Sequence, residues 1–384
     1  MKPLRSTAIA VIAAGVVLAA SACTPTGTGR AVPPSATPSA SSSPSAPADL
    51  IAEGWWRVTD GATTLASGLR APWSVVPLDS GGALISQRDD GAVLELTPAG
   101  ALRGVGTVPG VVSGGESGLH GLALHMDGDT KWLYAYHGAT DDNRVVRMPL
   151  LGEEGDFRLG EPEVIFSGIR RANTHDGGRI AFGPDAMLYV TTGDAQRSEA
   201  AQDPAALGGK ILRLTPEGDP APGNPFGSEV WSLGHRNVQG IAWTSDGTMW
   251  ASEFGQNTWD ELNRIMPGQN YGWPTVEGIG AREGFVDPVA VWPTDDASPS
   301  GIAVVGDTVF MAALRGERLW MVDTDAAGIV GEPAAALVSE QGRLRDVVAA
   351  PDGTLWVLTN NTDGRGQPRP EDDLLIRLPI APAH

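Results

Sequence analysis

Short apolar runs separated by clusters of Gly, Pro and Asp recur along most of the chain. In one stretch, the run Arg179–Phe182 is followed by Gly183-Pro184-Asp185 and then by a second run, Leu188–Thr191. Runs rich in β-branched and aromatic residues favour strands, and a Gly-Pro-Asp cluster favours a tight turn between them. The pattern predicts a β-hairpin in this stretch.

The same pattern occurs five more times. The first strands of these copies start at or near Trp73, Gly121, Gly240, Gly301 and Asp346. The copies lie about 45 to 60 residues apart, a spacing typical of propeller blades and solenoid repeats. Further strand-like runs between them, such as Val93–Leu96 and Lys210–Leu214, complete four strands per copy. The chain is therefore predicted to be all-β and to form a six-bladed β-propeller of four-stranded antiparallel blades, with a β-sandwich as the alternative.

The hairpins also predict where functional residues lie. In a hairpin, the start of the first strand and the end of the second strand are at the same end. Residues before all first strands and after all second strands should therefore gather on one face, around the central channel. The residues at these positions that could serve chemistry are Glu116, His120, His175, Arg236, Asn237, Arg343, Arg345, Asp194, Glu253, Gly255, Gln256, Arg315, Asn360 and Asn361. Such a convergence of a histidine, arginines and carboxylates indicates a binding or catalytic site.

The N-terminal segment has the features of a signal peptide. Lys2 and Arg5 precede an apolar stretch, Ala8–Ala20, that is too short for a stable membrane span, and small residues follow it. Cys23 is the only cysteine, so no intramolecular disulfide is possible, and its position resembles a bacterial lipobox. We expect residues 1–22 to be a lipoprotein signal peptide and Cys23 to be lipidated. The alternative is a secreted protein with an incidental cysteine.

Residues 23–48 are rich in Pro, Ser, Thr and Ala and carry one charge, Arg30. Such a composition cannot bury enough apolar surface to offset the entropy of ordering, so we expect a disordered tether. Residues 49–384 would form the propeller. This organisation predicts a domain in the cell envelope, on the extracytoplasmic side, that is anchored to the membrane through its N-terminal lipid.

The balance of charges narrows the choice of partners. The chain has 46 acidic and 27 basic residues, a formal net charge of -19. An excess of negative charge of this size argues against nucleic acid as a partner. No Gly-rich nucleotide loop and no HExxH pattern occurs in a supporting context, so neither a nucleotide-binding fold nor a zinc protease is predicted.

Several stretches, in their order along the chain, resemble the soluble quinoprotein sugar dehydrogenases, the aldose sugar or glucose/sorbosone dehydrogenase family. They are GGESGLHGLALHMD, NTHDGGRIAFGPDAMLYVTTGD, GGKILRLTPEG, SLGHRNVQGIAW, ASEFGQNTWDELNRIMPGQNYGWP and RLRDVVAAPDGTLWVLTNNTDGRG. The resemblance covers nearly the whole folded domain, and the family fold is also a six-bladed propeller. It implies that the protein oxidises an aldose at C1 to the lactone, and we expect a monomer. A histidine base, hydride transfer to pyrroloquinoline quinone (PQQ), a calcium ion and an unidentified electron acceptor are implied with it.

The resemblance assigns the catalytic roles residue by residue. His175 matches the family's base, and a histidine titrates near neutral pH, as removal of the C1 hydroxyl proton requires. Asp194 matches the carboxylate that orients this histidine and fixes its tautomer. Arg236 and Asn237 match the pair at the reactive carbonyl of the cofactor, where a cation stabilises developing negative charge. His235, beside them, is interpreted as structural.

Other arginines match the cofactor site of the family. Arg343 and Arg345 correspond to the arginines that bind the carboxylates of PQQ. Alternation along a strand would put both side chains on one side of the chain, as a multiply charged anion requires. Arg315 stands where the family commonly has a lysine, which keeps the charge but changes the geometry.

The metal and sugar contacts are implied by the same resemblance. Gly255 and Gln256 match a Gly-Pro pair whose backbone carbonyls bind the active-site calcium, and Gln256 lacks the fixed φ of the proline. Glu116 stands where the family places a polar contact to the sugar. Asp260-Glu261 resembles a family dyad that we expect to support loop structure rather than bind the metal directly. Trp273 is expected in the core or the channel wall.

Two other classes of function remain open on the sequence. A propeller hydrolase, such as a calcium-dependent lactonase, would need carboxylate and Asn side chains clustered on the metal, whereas arginines dominate the predicted face. A non-catalytic binding propeller in the envelope is the other alternative, because Arg315 and Gln256 depart from the family pattern.

Overall fold

The computed structural model describes residues 53–383. Each of the six predicted hairpins is present and forms the first two strands of a sheet. The first strands of the six sheets contact one another in cyclic order, so they surround a central channel. The prediction of a six-bladed β-propeller is confirmed, and the β-sandwich alternative is wrong.

Two strands precede the first blade, β1 (Trp56–Val58) and β2 (Thr63–Ala66). Blade one consists of β3 (Pro72–Pro77), β4 (Ala83–Gln87), β5 (Ala92–Leu96) and β6 (Leu102–Thr107). Blade two consists of β7 (Leu119–Asp127), β8 (Thr130–Gly138), β9 (Asn143–Leu151), β10 (Arg158–Leu159) and β11 (Glu163–Ile169). Blade three consists of β12 (Ile180–Phe182), β13 (Leu188–Thr192), β14 (Lys210–Leu214) and β15 (Val230–Leu233), with a 3₁₀ segment, Ser198–Gln202, before β14.

Blade four consists of β16 (Val238–Trp243), β17 (Met249–Glu253), β18 (Trp259–Ile265) and β19 (Ala290–Pro293). Blade five consists of β20 (Pro299–Val305), β21 (Thr308–Ala313), β22 (Arg318–Asp325), β23 (Gly328–Ile329) and β24 (Ala334–Ala336). Blade six contains β25 (Leu344–Ala349), β26 (Leu355–Thr359) and β27 (Leu375–Leu378), and β28 (Ile380–Pro382) follows it.

The ring is closed by strands from distant parts of the chain. β2 is the outer strand of blade six, where it pairs antiparallel with β27 and places Thr63 opposite Arg377. β1 pairs antiparallel with β28, with Trp56 opposite Pro382. Blade six therefore combines the second strand of the described chain with three strands from near its end.

Six hydrophobic clusters fill the spaces between neighbouring blades. Leu84 of blade one and Leu133 of blade two belong to one cluster. Ile85 of blade one and Trp356 of blade six belong to another. Leu84 and Ile85 are adjacent in β4 and project to opposite faces, so both faces of the blade are buried. This explains why the second strands are continuous apolar runs and not alternating ones.

A buried ion pair crosses the central channel. Arg179 Nη1 donates to Asp346 Oδ2 at 2.9 Å. Arg179 Nε donates to the carbonyl of Gln239 at 2.9 Å, and the guanidinium lies 4.4 Å from the ring centroid of Trp73. Asp346 Oδ2 also accepts from the N–H of Val75 at 3.1 Å. These contacts, which we call the channel network, connect blades one, three, four and six at the centre of the ring.

The remaining predictions about organisation concern the N-terminal region. Within residues 53–383 there is no α-helix, and accordingly none long and apolar enough to cross a membrane. The predicted signal peptide (1–22), Cys23 and the tether (23–48) lie outside the described residues. They stay predictions.

Candidate active site

His175 lies on the loop before β12 and is held by Asp194, which comes just after β13. The Nδ1 of His175 donates to Asp194 Oδ1 at 2.7 Å. The other carboxylate oxygen, Oδ2, accepts from Trp273 Nε1 at 2.8 Å. Burial acts to raise the pKa of Asp194, but the hydrogen bonds that the carboxylate accepts from His175, Trp273 and the N–H of Gln196 lower the pKa below its usual value. The carboxylate therefore stays ionised beside the imidazole.

Arg236 defines the tautomer of His175. Arg236 Nη2 lies 2.8 Å from His175 Nε2. Because a guanidinium has only donors, Nε2 must accept, and the proton of the neutral ring is on Nδ1. Arg236 also stacks on Trp273, 5.5 Å from the ring centroid, and donates Nη1 to the carbonyl of Phe254 at 3.2 Å. Nε2 thus carries the lone pair that a general base needs.

The backbone of the histidine loop is held in an unusual conformation. His175 has a φ of 64°, in the left-handed region that is strained for a residue with a Cβ. Glu116 Oε2 accepts from the N–H of His175 at 2.8 Å, and Asn237 Oδ1 accepts from the N–H of Gly177 at 3.0 Å. Gly193 permits the close approach, because a Cβ there would lie 1.8 Å from the carbonyl oxygen of His175. Three neighbouring segments therefore fix the position of the imidazole.

His235 and Glu253 hold the backbone of Arg236 through hydrogen bonds. His235 is fully buried and its Nδ1 donates to Glu253 Oε2 at 2.8 Å, while its Nε2 contacts Ser232 Oγ at 2.9 Å. The second oxygen of Glu253 accepts from the backbone N–H of Arg236. His235 thus has both ring nitrogens engaged within the fold, which agrees with a structural role.

Two adjoining cavities open at this end of the propeller. The first, of about 370 Å³, we call the arginine cavity, because it is lined by Arg88, Arg315, Arg343, Arg345 and Arg365. The second, of about 400 Å³, we call the histidine cavity, and it is lined by His175, Arg236, Asn237, Gly255 and Gln256, among others. Glu116, Phe254, Ser298 and Arg315 line both. The two cavities therefore adjoin, and each has the size of a small-molecule site.

Arg343 and Arg345 share one buried carboxylate. Arg343 comes just before β25, and Arg345 is the second residue of that strand. Their Nη2 atoms lie 3.1 Å and 3.8 Å from Asp363 Oδ2, so the two side chains are on the same side of the chain. Burial acts to raise the pKa of Asp363, but the two guanidinium groups outweigh burial and lower it. One carboxylate for two guanidinium groups leaves an excess of positive charge.

Arg345 is almost fully buried, and most of its partners are neutral. Its Nη1 donates to Gln239 Oε1 at 2.7 Å. Asn360, with its amide oxygen turned toward the guanidinium, accepts from Arg345 Nε at 2.9 Å. Burial lowers the pKa of Arg345 to about 9, although the charge of Asp363 opposes this change. The positive charge of Arg345 is thus poorly compensated by the protein itself.

Several buried polar atoms have no hydrogen-bond partner within residues 53–383, and they belong to residues that line the two cavities. They include Nε of Arg236, Nε of Arg343 and Nδ1 of His120. His120 stacks against Trp73, and burial lowers its pKa to about 3, so its ring is neutral. Unpartnered donors on cationic side chains fit a ligand that carries several negatively charged oxygens. The residues of the arginine cavity therefore fit a polycarboxylate such as PQQ.

Two predicted contact residues have other partners. Arg315 exposes 60% of its side chain and pairs with Asp295 at 2.5 Å, at the border of the two cavities. It is not grouped with Arg343 and Arg345 around Asp363. Glu116 uses Oε2 for the histidine loop, and its Oε1 lies 3.4 Å from Arg365 Nη2. Glu116 therefore positions His175 as well as lining the cavity expected to take the sugar.

The loop that contains Gly255 and Gln256 is attached to two carboxylates. The N–H of Gly255 donates to Asp260 Oδ1 at 2.8 Å, and that of Gln256 donates to Glu277 Oε1 at 2.7 Å. Asp260 and Glu261 lie in β18 and hold loops through their carboxylates. Burial is the main cause that raises the pKa of Asp260 to about 6 and that of Glu261 to about 8. Within residues 53–383 no three or more His, Cys, Asp or Glu side chains are placed to hold a metal ion, so the candidate ligands here are backbone carbonyls.

Three residues that shape the site were not assigned there from the sequence. Asp363 follows β26 at the same end of its blade as Asn360, so the hairpin rule could have found it. Trp273 and Glu277 lie on the long connection between β18 and β19, and no strand pattern places that connection over the site. Trp273, expected in the core or channel wall, is buried and also donates to Asp194.

Comparison with known families agrees with this geometry. The model of the family described as Glucose / Sorbosone dehydrogenase matches residues 69–376. The chain is 30% identical over 335 residues to the aldose sugar dehydrogenase YliI of Escherichia coli, a match that covers 76% of this chain and 88% of that protein. The family match spans the histidine loop and both cavities.

Solved structures with the same fold include sugar dehydrogenases. The PQQ-bound aldose sugar dehydrogenase from Streptomyces coelicolor matches with a TM-score of 0.81 and 49% identity, over 86% of this chain and 99% of that chain. An oxidoreductase described as a glucose dehydrogenase, from Thermus thermophilus, matches with a TM-score of 0.77 and 42% identity, over 83% of this chain and 99% of that chain. Both structures are aligned over nearly their whole length.

Proposed function

The chain belongs to the glucose/sorbosone dehydrogenase family, and on this premise we propose that it is a PQQ- and calcium-dependent aldose sugar dehydrogenase. It would oxidise the C1 hydroxyl of an aldose to the lactone and pass the electrons to a separate acceptor. The observation that carries the proposal is the pair of adjoining cavities. One is lined by five arginines, of which Arg343 and Arg345 share a single carboxylate, and the other offers a neutral histidine with its lone pair on Nε2.

The residues present divide between cofactor and metal. Arg343 and Arg345 would bind carboxylates of PQQ, and Arg236 with Asn237 would face its reactive carbonyl. The carbonyl oxygens of Gly255 and Gln256 would bind calcium, which prefers oxygen ligands. When bound, PQQ supplies the quinone that accepts a hydride from the sugar, and calcium polarises that quinone.

The chain's own residues would handle the proton. His175 removes the proton of the C1 hydroxyl at Nε2, and Asp194 stabilises the imidazolium that results. Arg236 Nη2 contacts Nε2 in this structure. A sugar hydroxyl that donates to Nε2 replaces this contact, which leaves the guanidinium free to stabilise developing negative charge. The hydrogen bond from His175 Nδ1 to Asp194 and the charge of Arg236 thus act on opposite sides of the imidazole ring.

Reconstitution tests the proposal directly. Purified protein is incubated with PQQ and calcium, and reduction of a dye is measured over a panel of aldoses. We expect dye reduction that requires both additions and an aldose. Opening of lactones without PQQ would support the hydrolase alternative. Failure to bind PQQ, with no activity on either substrate class, would support a non-catalytic binding propeller.

His175→Ala tests the role of the base. We expect the rate of PQQ reduction in a single turnover with excess aldose to fall about 10²–10⁴-fold, the usual effect of losing a general base. PQQ affinity should change much less, because other residues meet its charges. The quinone spectrum reports the reduction. A variant that reduces PQQ at nearly the wild-type rate would remove His175 from the mechanism, and one that no longer binds PQQ would make it a cofactor residue.

We also propose that Cys23 carries a lipid and anchors the protein to the membrane on the extracytoplasmic side. The support is the sequence alone: a signal-like start, a single cysteine and a Pro/Ser-rich segment after it. Cys23→Ser should move the protein from the membrane fraction to the soluble fraction. An unchanged membrane fraction would contradict the anchor.

A further inference from the structure

Glu277 binds a run of consecutive peptide N–H groups. Its Oε1 accepts at 2.7, 3.0, 3.0 and 3.2 Å from the backbone N–H groups of Gln256, Asn257, Thr258 and Trp259. The preceding N–H, that of Gly255, donates to Asp260 Oδ1 at 2.8 Å. Every amide N–H from 255 to 259 is therefore directed at a carboxylate.

The direction of these N–H groups determines the direction of the carbonyls. In a trans peptide, the C=O of one residue and the N–H of the next point in opposite directions. The peptide bonds of this loop are trans. The carbonyl oxygens of residues 255–258 therefore point away from the Glu277 carboxylate. None of them accepts a hydrogen bond from another group within residues 53–383, and residues 255–257 line the histidine cavity.

We infer that Glu277 is a positioning residue that presents the carbonyl oxygens of Gly255 and Gln256 as ligands for the calcium ion. The inference rests on the proposed function, which assigns calcium to this pair. Hydrogen bonding at the N–H side polarises each peptide, so the carboxylate also makes these carbonyl oxygens more negative. A row of polarised carbonyls on residues that line a cavity is a suitable set of oxygen ligands for a hard cation.

Glu277 also accounts for a departure from the family pattern. The family resemblance places a proline at position 256, whose ring would fix φ and remove the N–H. Gln256 lacks this restraint, but its N–H makes the shortest of the four bonds to Glu277. The hydrogen bonds to Glu277 restrain the loop in place of the ring.

Calcium titration tests the inference without relying on activity. Full-length wild type, Glu277→Ala and Glu277→Gln are titrated with Ca²⁺ by isothermal calorimetry, with and without PQQ. We expect Glu277→Ala to bind Ca²⁺ about 10–100-fold more weakly, the usual effect of removing a group that orients a ligand. Glu277→Gln, which keeps an acceptor oxygen, should lie between. Glu283→Ala removes an exposed glutamate of the same connection and is the matched control, with unchanged affinity.

A second variant distinguishes positioning from general stability. Adding Gln256→Pro to Glu277→Ala should restore most of the Ca²⁺ affinity, because the ring fixes the loop without Glu277. Unchanged Ca²⁺ affinity in Glu277→Ala would overturn the inference and leave the proposed function intact. Failure of wild type to bind Ca²⁺ under both conditions would overturn the inference together with the calcium part of the proposed function.

Discussion

Two buried arginines lie against the same indole ring, and their counter-ions differ. The guanidinium carbons of Arg179 and Arg345 are 4.4 Å and 5.7 Å from the ring centroid of Trp73. Arg179 has a carboxylate of its own, with Asp346 at 2.9 Å. Arg345 has only a share of Asp363, at 3.8 Å, which Arg343 approaches more closely. A buried charge with its own counter-ion belongs to the framework, whereas one with a shared and distant counter-ion is available to a ligand.

The pKa values of Asp346 and Asp363, the carboxylates that pair with these arginines, shift in opposite directions. Burial raises the pKa of Asp346, and the single charge of Arg179 does not compensate for it. At Asp363, burial acts in the same direction, but two guanidinium groups outweigh it and lower the pKa. The channel network pairs one guanidinium with one carboxylate, whereas in the arginine cavity two guanidinium groups share one carboxylate, which leaves an excess of positive charge there.

The largest effect is expected from breaking the channel network. Asp346→Ala leaves Arg179 buried without a counter-ion, so the free energy of unfolding should fall by about 3–5 kcal/mol. Urea denaturation measures it. The double variant Arg179→Met/Asp346→Leu removes both charges and should recover most of the loss. If Asp346→Ala lowers the free energy of unfolding by less than about 1 kcal/mol, the size of an ordinary substitution, then Arg179 does not differ from Arg345 in its need for a counter-ion.

Arg345→Ala should act on ligand affinity instead of stability. Removing one cationic partner of a desolvated carboxylate should weaken PQQ binding by about 2–5 kcal/mol. The free energy of unfolding of the PQQ-free protein should change little or rise, because a poorly compensated charge is removed. Fluorescence titration with PQQ and urea denaturation measure the two quantities. Arg158→Ala, at an exposed arginine of blade two, is the control. Unchanged PQQ affinity would place Arg345 with Arg179 in the framework.

Arg236 extends the comparison, because it too stacks on an indole. Trp273→Phe keeps an aromatic face for Arg236 but removes the hydrogen bond to Asp194. A bond to a charged group contributes about 1.5–3 kcal/mol, and we expect kcat to fall about 10-fold as part of this is lost. The hydrogen bond lowers the pKa of Asp194, so the acid limb of the kcat profile should move to higher pH. A purely structural role would leave that limb in place.

The smallest effect is expected from Asp363, in the pH dependence of the free energy of unfolding. Because the folded pKa of Asp363 is lowered, its charge contributes stability above the ordinary value of 3.8, and this contribution is lost as pH falls through the folded pKa. Asp363→Asn should therefore be less stable than wild type at neutral pH, by about 1 kcal/mol, and the difference should shrink in acid. Urea denaturation at several pH values measures it. A difference that grew in acid would mean that the cavity lacks the excess of positive charge inferred here.

The fold could be predicted from the sequence because its units are local. A run such as Leu188–Thr192 predicts a strand from its own residues, and the spacing of such runs predicts the number of blades. The common end of all hairpins then predicted that His175 and Asp194 would lie on the same face. That prediction needed no knowledge of how the blades pack.

Contacts made by long connections could not be predicted in this way. Trp273 and Asp194 are far apart in sequence, and the path of the connection between β18 and β19 depends on its own turns and not on a repeat. The four hydrogen bonds to Glu277 could not be predicted either, because their donors are backbone N–H groups, which do not depend on the type of residue. The sequence also does not reveal that Arg179 is buried in the channel, since its position before β12 suits an exposed residue equally well.

The pairing of β2 with β27 has a consequence for the order of assembly. β2 lies near the start of the described chain and β27 near its end, so blade six cannot be completed until almost all of the chain is available. Contacts between residues so distant in sequence form slowly, and until then the outer edge of β27 is unpaired. An unpaired strand edge can pair with another chain, so aggregation should compete with folding most strongly at this step. Joining the chain ends and opening the chain between two other blades would make blade six continuous, and no blade would then have to wait for a strand from the other end of the chain.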